Sequence, residues 1–189
     1  SSFYYGSVKC FDFFRSLLLR GNVRGVDMVR FSKRAEVMAV ADKIRKADKF
    51  TFLFVGRIAR DKGIEELVAA FHRLQQEYIN VRLVLVGWNE NAMDPVKSET
   101  WELIETLPSI EYLGEKFGDE LLGCYAASDC YVFPSYREGF PNTVMEAGAM
   151  ELPCIVTNIN GSREIIVHGE NGIIVPSKDE DALYDAMKT

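Results

Sequence analysis

Histidine and cysteine are scarce: the chain has two histidines and four cysteines, Cys10, Cys124, Cys130 and Cys154, with no CxxC pair among them. That spacing excludes a clustered zinc site or a disulfide framework. Cys124, Cys130 and Cys154 lie in apolar surroundings and read as small core residues of a reducing compartment. Long apolar runs are missing too. The longest, such as Leu83 to Val86, are strand-sized, far short of the roughly 18 residues of a membrane helix. The opening residues do not read as a basic-then-apolar signal peptide. Positive charge is in the minority, 22 Lys+Arg against 28 Asp+Glu for a net charge of −6, which excludes a polybasic nucleic-acid binder. No GxxxxGKS/T and no GxGxxG follows any strand, so neither a P-loop NTPase nor a dinucleotide-binding dehydrogenase is supported.

What remains is the composition of one ordinary folded domain, 189 residues with 48% hydrophobic and 26% charged, enough to bury a full core. From residue 50 the hydrophobic period switches repeatedly. Phe50 to Val55 (FTFLFV) is a strand ending at Gly56, and Lys62 to Tyr78 carries Ile64, Leu67, Val68, Phe71 and Leu74 on one helical stripe. Val81 to Val86 is a second strand. Val96 to Leu107 reads as a helix, Ile110 to Leu113 as a short strand, and Asp119 to Ala127 as a helix interrupted by Gly123. Tyr131 to Phe133, Asn142 to Met150, Cys154 to Val156, Glu164 to Val167, Ile173 to Val175 and Asp179 to Met187 continue the alternation. Strands apolar throughout, alternating with helices, predict an α/β fold with a doubly wound, Rossmann-like parallel sheet of about six strands, binding ligands at its carboxyl edge. Ser32 to Lys46 reads as a helix leading into the first strand.

Three features at that edge carry chemistry. VGRIARDKG places Arg57 and Lys62 in one strand-to-helix loop, with Lys62 at the helix start, where a cation runs against the macrodipole. An anion between the two would explain this, and a diphosphate suits an Arg fork plus a Lys point charge without a metal. In PSYREGFPNTVMEAGA, a Gly-Phe-Pro-Asn turn opens a helix at about Asn142, an N-terminus fit for anions. Glu138 precedes that turn and Glu146 lies eight positions on, both suited to accepting hydrogen bonds from sugar hydroxyls. Asn158 to Glu164 and His168 to Gly172 form two further glycine-bearing loops. His72 and His168 read as surface or capping residues.

GVDxxRF at Gly25 to Phe31, VGRx4KG at Val55 to Gly63, Ex7E from Glu138 to Glu146 and NGxxV at Asn171 to Val175 occur in that order. Together they resemble the carboxyl-terminal, donor-binding domain of retaining GT-B glycosyltransferases of family 4 (glycosyl transferases group 1), over roughly residues 22 to 189. The resemblance implies that Arg57 and Lys62 neutralise the donor diphosphate, that Glu138 contacts the donor sugar, and that Glu146 binds ribose hydroxyls. It implies further that Gly56 belongs to the donor site, that backbone amides around Gly139, Phe140, Asn142 and Thr143 cradle sugar and phosphates, with Thr143 and Val144 opening the helix, and that Gly114 to Lys116 meets the base. Two positions depart from the pattern: Glu151 replaces the glycine that ends the Ex7E helix, and Asn160-Gly161 replaces a Gly-Gly pair, a change that Asn tolerates.

The resemblance also implies a second, amino-terminal domain that binds the acceptor. Residues 1–31 are then a lead-in or linker from that missing half, and 32–189 the donor-binding domain. The expected partner is a nucleotide-sugar donor, with UDP as the first expectation, and the acceptor is a polysaccharide or lipid-linked saccharide. No cofactor, metal or nucleic acid is expected. The expected location is cytoplasmic and bacterial, with room for peripheral contact at the inner face of the membrane through the missing domain. Two rivals are a sugar-nucleotide epimerase of GT-B fold and a non-catalytic nucleotide-binding module.

Overall fold

The computed structural model describes residues 26, 27 and 29–189. The aromatic lead-in Phe3 to Leu19, and Gly25 and Met28 of GVDxxRF, lie outside the described residues.

Six strands, β1 (Phe50–Val55), β2 (Val81–Val86), β3 (Ile110–Tyr112), β4 (Cys130–Phe133), β5 (Cys154–Thr157) and β6 (Gly172–Val175), form one sheet in the order β3-β2-β1-β4-β5-β6. Every pairing is parallel; Phe50 faces Val81 and Tyr131 faces Cys154. Among the described residues, seven α-helices alternate with them: α1 (Ala35–Ile44), α2 (Ile64–Glu77), α3 (Ser98–Thr106), α4 (Gly118–Ala126), α5 (Asn142–Ala149), α6 (Asn160–Ile165) and α7 (Glu180–Lys188).

All six residues of β2 and five of six in β1 are buried, the consequence of covering both sheet faces with helices. The ring of Phe52 meets Phe71 of α2 edge-on, while Tyr131, paired with Leu53, meets Tyr125 of α4. Alternation along β1 therefore sends one face to α2 and α7 and the other to α1 and α4, which pack pairwise. The stripe Ile64, Leu67, Val68, Phe71 and Leu74 is buried as the spacing requires.

Two local expectations need correction. Helix α4 runs unbroken through Gly123. That residue is a contact point rather than a break: an ideal Cβ there would stand 2.4 Å from Val40 Cγ1, so α1 and α4 cross closely. The end of α5 closes on a left-handed residue after all, because Glu151 itself adopts φ 66°. Its carboxylate pairs with Lys33 Nζ at 2.6 Å.

The chain winds outward from β1 to β3 on one side and from β4 to β6 on the other. The strand order reverses between β1 and β4, so the crevice outside their carboxyl ends is the place where such sheets bind ligands.

Candidate functional site

The loop after β1 begins with Gly56, whose N–H donates to the Val86 carbonyl at 2.9 Å. It then forms a 3-10 turn at Arg60–Lys62 before α2. Lys62 thus precedes the helix by two residues instead of starting it, and the macrodipole has less hold on it than the sequence suggested. Gly63 makes the junction in the left-handed region at φ 70°, where an added Cβ would stand 2.2 Å from the Pro134 carbonyl oxygen. That close approach ties the β1–α2 loop to the β4–α5 loop.

The result is an ion pair across the switch point, Lys62 Nζ to Glu138 Oε1 at 2.5 Å, with side chains 14% and 19% exposed. Ser135 Oγ donates to the same oxygen at 2.9 Å. Arg57 points elsewhere. Its Nη2 donates to both carboxylate oxygens of Asp61 at 3.1 and 3.2 Å, and its Nη1 lies 3.6 Å from buried Glu90. Glu90 also accepts the N–H groups of Ala92 and Met93. Each cation expected to share an anion therefore has a carboxylate partner in this state.

Helix α5 opens at Asn142 as its turn predicts, with Pro141 before it and no side chain capping its first turn. Its start follows the carboxyl end of β4, on the same edge of the sheet. Gly161 sets the preceding turn: a Cβ there would meet the Gly139 carbonyl oxygen at 2.5 Å and Pro141 Cδ at 2.8 Å. Gly139 and Asn142 are exposed, Phe140 packs half-buried against the core, Thr143 is half-buried and Val144 fully buried.

Glu146 is separate from the Lys62–Glu138 pair. Tyr125 Oη, fully buried, donates to its Oε2 at 3.1 Å. Burial raises the Glu146 carboxyl above the usual carboxylate range, opposed by that hydrogen bond and by the charge of Arg30. On the β3 side, the Gly114 carbonyl accepts the Gly87 N–H at 2.9 Å, Lys116 is half-buried, and Trp88 and Phe117 expose their rings. The histidines stand apart: His72 lies near Gln76 on α2, and His168 Nδ1 accepts the Ile174 N–H at 3.0 Å.

Asp61, Glu90, Ser135 and Tyr125 were not singled out from the sequence. Only Asp61 left a signal, as the acid inside the RDK turn. Glu90 reaches Arg57 over 33 positions and Tyr125 reaches Glu146 over 21, while Ser135 lies only three residues from Glu138 but no motif marks it.

A parallel sheet with charged and glycine-bearing loops at its switch point defines a Rossmann-like ligand-binding domain. The chain belongs to the glycosyl transferases group 1 family, whose model matches residues 49–189. It is 34% identical over 143 residues to the capsular polysaccharide biosynthesis glycosyltransferase CapM of Staphylococcus aureus, covering 75% of this chain and 36% of that protein. The C-terminal domain of a glycosyl transferase group 1 family protein (LpcC) from Francisella tularensis superposes with a TM-score of 0.76 at 26% identity, covering 87% of this chain and 86% of that one. Anabaena Alr3699/HepE, solved with UDP and glucose, superposes with a TM-score of 0.74 at 21% identity over 85% of this chain and 44% of its own. The fold is thus that of one half of GT-B glycosyltransferases, and the chain spans about a third of the length of CapM.

Proposed function

We propose that this chain is the donor-binding domain of a retaining family-4 glycosyltransferase that moves a hexose from a nucleoside-diphosphate sugar, UDP first, to a polysaccharide or lipid-linked saccharide. The observation that carries the reading is the Lys62–Glu138 pair at 2.5 Å, held at the switch point by Gly63 and flanked by Arg57. Lys62 and Arg57 take the leaving diphosphate, releasing Glu138 to the donor sugar. The amides at the start of α5 complete the anion cradle, and Glu146 accepts from the ribose. Once donor binding has drawn Arg57 and Lys62 from their carboxylates, charge that develops on the leaving group meets cations and N–H groups already oriented toward it, which is electrostatic stabilisation of the transition state. The residues themselves supply the charge that a metal supplies elsewhere, so binding is metal-independent. Transfer occurs directly on the face the leaving group departs from, with no covalent adduct on Glu138. The name of CapM supports a polysaccharide acceptor, and the ligands of the Anabaena neighbour support UDP.

Acceptor binding and turnover belong to the longer protein, acting at the cytoplasmic face. Calorimetric titration of this chain with UDP, GDP and ADP, with and without EDTA, tests the reading. One nucleotide binds regardless of EDTA, and Glu146→Ala weakens it. Binding of none of the three, here and in the longer protein, overturns the proposal.

A further inference from the structure

Beside the Lys62–Glu138 pair, the carboxyl ends of β1, β4 and β6 and the loop after β2 enclose a cavity of about 850 Å³. Neither Lys62 nor Glu138 lines it, although each follows a residue that does, Asp61 and Arg137. Four cations, Arg57, Arg60, Arg137 and Lys178, share its wall with two carboxylates, Asp61 and Asp94. The carboxylates are already engaged: Asp61 with Arg57 at 3.1 Å, and Asp94 with Arg60 at 3.3 Å and with the Asp61 N–H at 2.6 Å. Arg137 and Lys178 are left without a carboxylate partner among the described residues. In a chain of net charge −6, two unmatched cations in one concavity mark a place where an anion is favoured.

The local backbone holds them there. Lys178 is one of two described non-glycine residues with positive φ, at 60°, a strained conformation for a side chain of this kind. Its Nζ lies over the Tyr136 ring, 4.7 Å from the centroid. Tyr136 is fixed in turn, its N–H donating to the Asp61 carbonyl and its hydroxyl to Glu66. Ser177, also on the wall, has a buried Oγ with no hydrogen-bond partner.

We propose that this cavity is a second anion site, adjoining the nucleotide's at Arg57, in which Arg137, Lys178 and Ser177 take a phosphate or carboxylate group of an acceptor whose remainder is held by the longer protein. The acceptor role rests on the glycosyltransferase reading above; the anion site itself does not. It follows that the transferase acts on acceptors that carry a negative charge near the hydroxyl to be glycosylated.

The test titrates this chain, saturated with UDP, with glycerol 3-phosphate and separately with glucuronate, followed by calorimetry. The double variant Arg137→Gln/Lys178→Gln should bind the preferred probe at least about tenfold more weakly, with UDP affinity and melting temperature unchanged. Lys62→Ala should do the reverse. Whichever probe binds identifies the group. Binding of neither probe, equal binding by the double variant, or a probe that binds only when UDP is left out overturns the proposal and leaves the donor site standing. If UDP fails to bind while the probe binds and is lost in the double variant, the donor reading falls and the anion site stands.

Discussion

At the amino ends of its strands the sheet opens onto an apolar cavity of about 430 Å³ walled by Phe50, Phe52, Leu74, Tyr78, Val81 and Met187. At the carboxyl ends, the same strands lead into loops filled with Arg57, Lys62, Asp61, Glu138 and Arg137. The amino end has cations too, and Arg82 makes the contrast clear. It is 3% exposed and donates to the Ile44 carbonyl at 3.0 Å and to Glu111 at 3.1 Å. Those partners belong to α1 and β3, so its charge is spent on joining elements. Lys62 at the other end is paired with one carboxylate that has no second ion-pair partner among the described residues. A cation with a single partner at a switch point is a better candidate for a ligand than one shared among structural elements. The apolar cavity is therefore the less informative of the two ends.

The largest effect that would break this contrast is Gly63→Ala. The clash with Pro134 and the left-handed backbone should cost about 2–4 kcal/mol, read as a lower urea midpoint, and should separate Lys62 from Glu138 so that nucleotide binding is lost as well. Next comes a paired comparison. Arg82→Ala should destabilise by about 2–3 kcal/mol with nucleotide affinity unchanged. Lys62→Ala leaves the largely buried Glu138 without its counter-charge, so it should destabilise by about 1–3 kcal/mol but, unlike Arg82→Ala, weaken nucleotide binding by roughly 10- to 100-fold. Calorimetry and denaturation on both variants would show the contrast to be empty if the two residues behaved alike.

A smaller effect separates Glu146 from Glu138. Because burial raises the Glu146 carboxyl above its ordinary value of 4.5, the folded chain holds this proton to higher pH than the unfolded chain. Its contribution to stability is fully present in acid and falls as pH rises through the raised value. Glu146→Gln removes that fall, so thermal melts of variant and parent should coincide in acid and diverge, with the variant higher, towards neutral pH. Smallest of all is Lys33→Ala. Its pair with Glu151 is 43% and 37% exposed, and its loss should change stability by less than about 1 kcal/mol.

The fold was legible wherever burial has a period. The stripe of α2, the largely apolar β2 and the Asn142 start of α5 all follow from local pattern. Lys62 was placed two residues too deep because the 3-10 turn and the left-handed Gly63 answer to Pro134, a contact made 71 positions later in the chain and invisible to periodicity. Gly123 was misread as a break for the same reason: its neighbour is Val40. Motif spacing brought Arg57, Lys62, Glu138 and Glu146 to one edge, but not their partners. Asp61, Glu90, Ser135 and Tyr125 are ordinary residues until the fold brings them within hydrogen-bond distance, and the cavity around Arg137 and Lys178 exists only because the loops after β1, β4 and β6 leave the same edge of one sheet.

The most direct test of the central claim is a crystal structure of this chain soaked with UDP. The account predicts the diphosphate between Arg57 and Lys62 at the start of α5, with Lys62 drawn away from Glu138 and its 2.5 Å pair broken. Nucleotide bound elsewhere, or bound there with that pair intact, would contradict it.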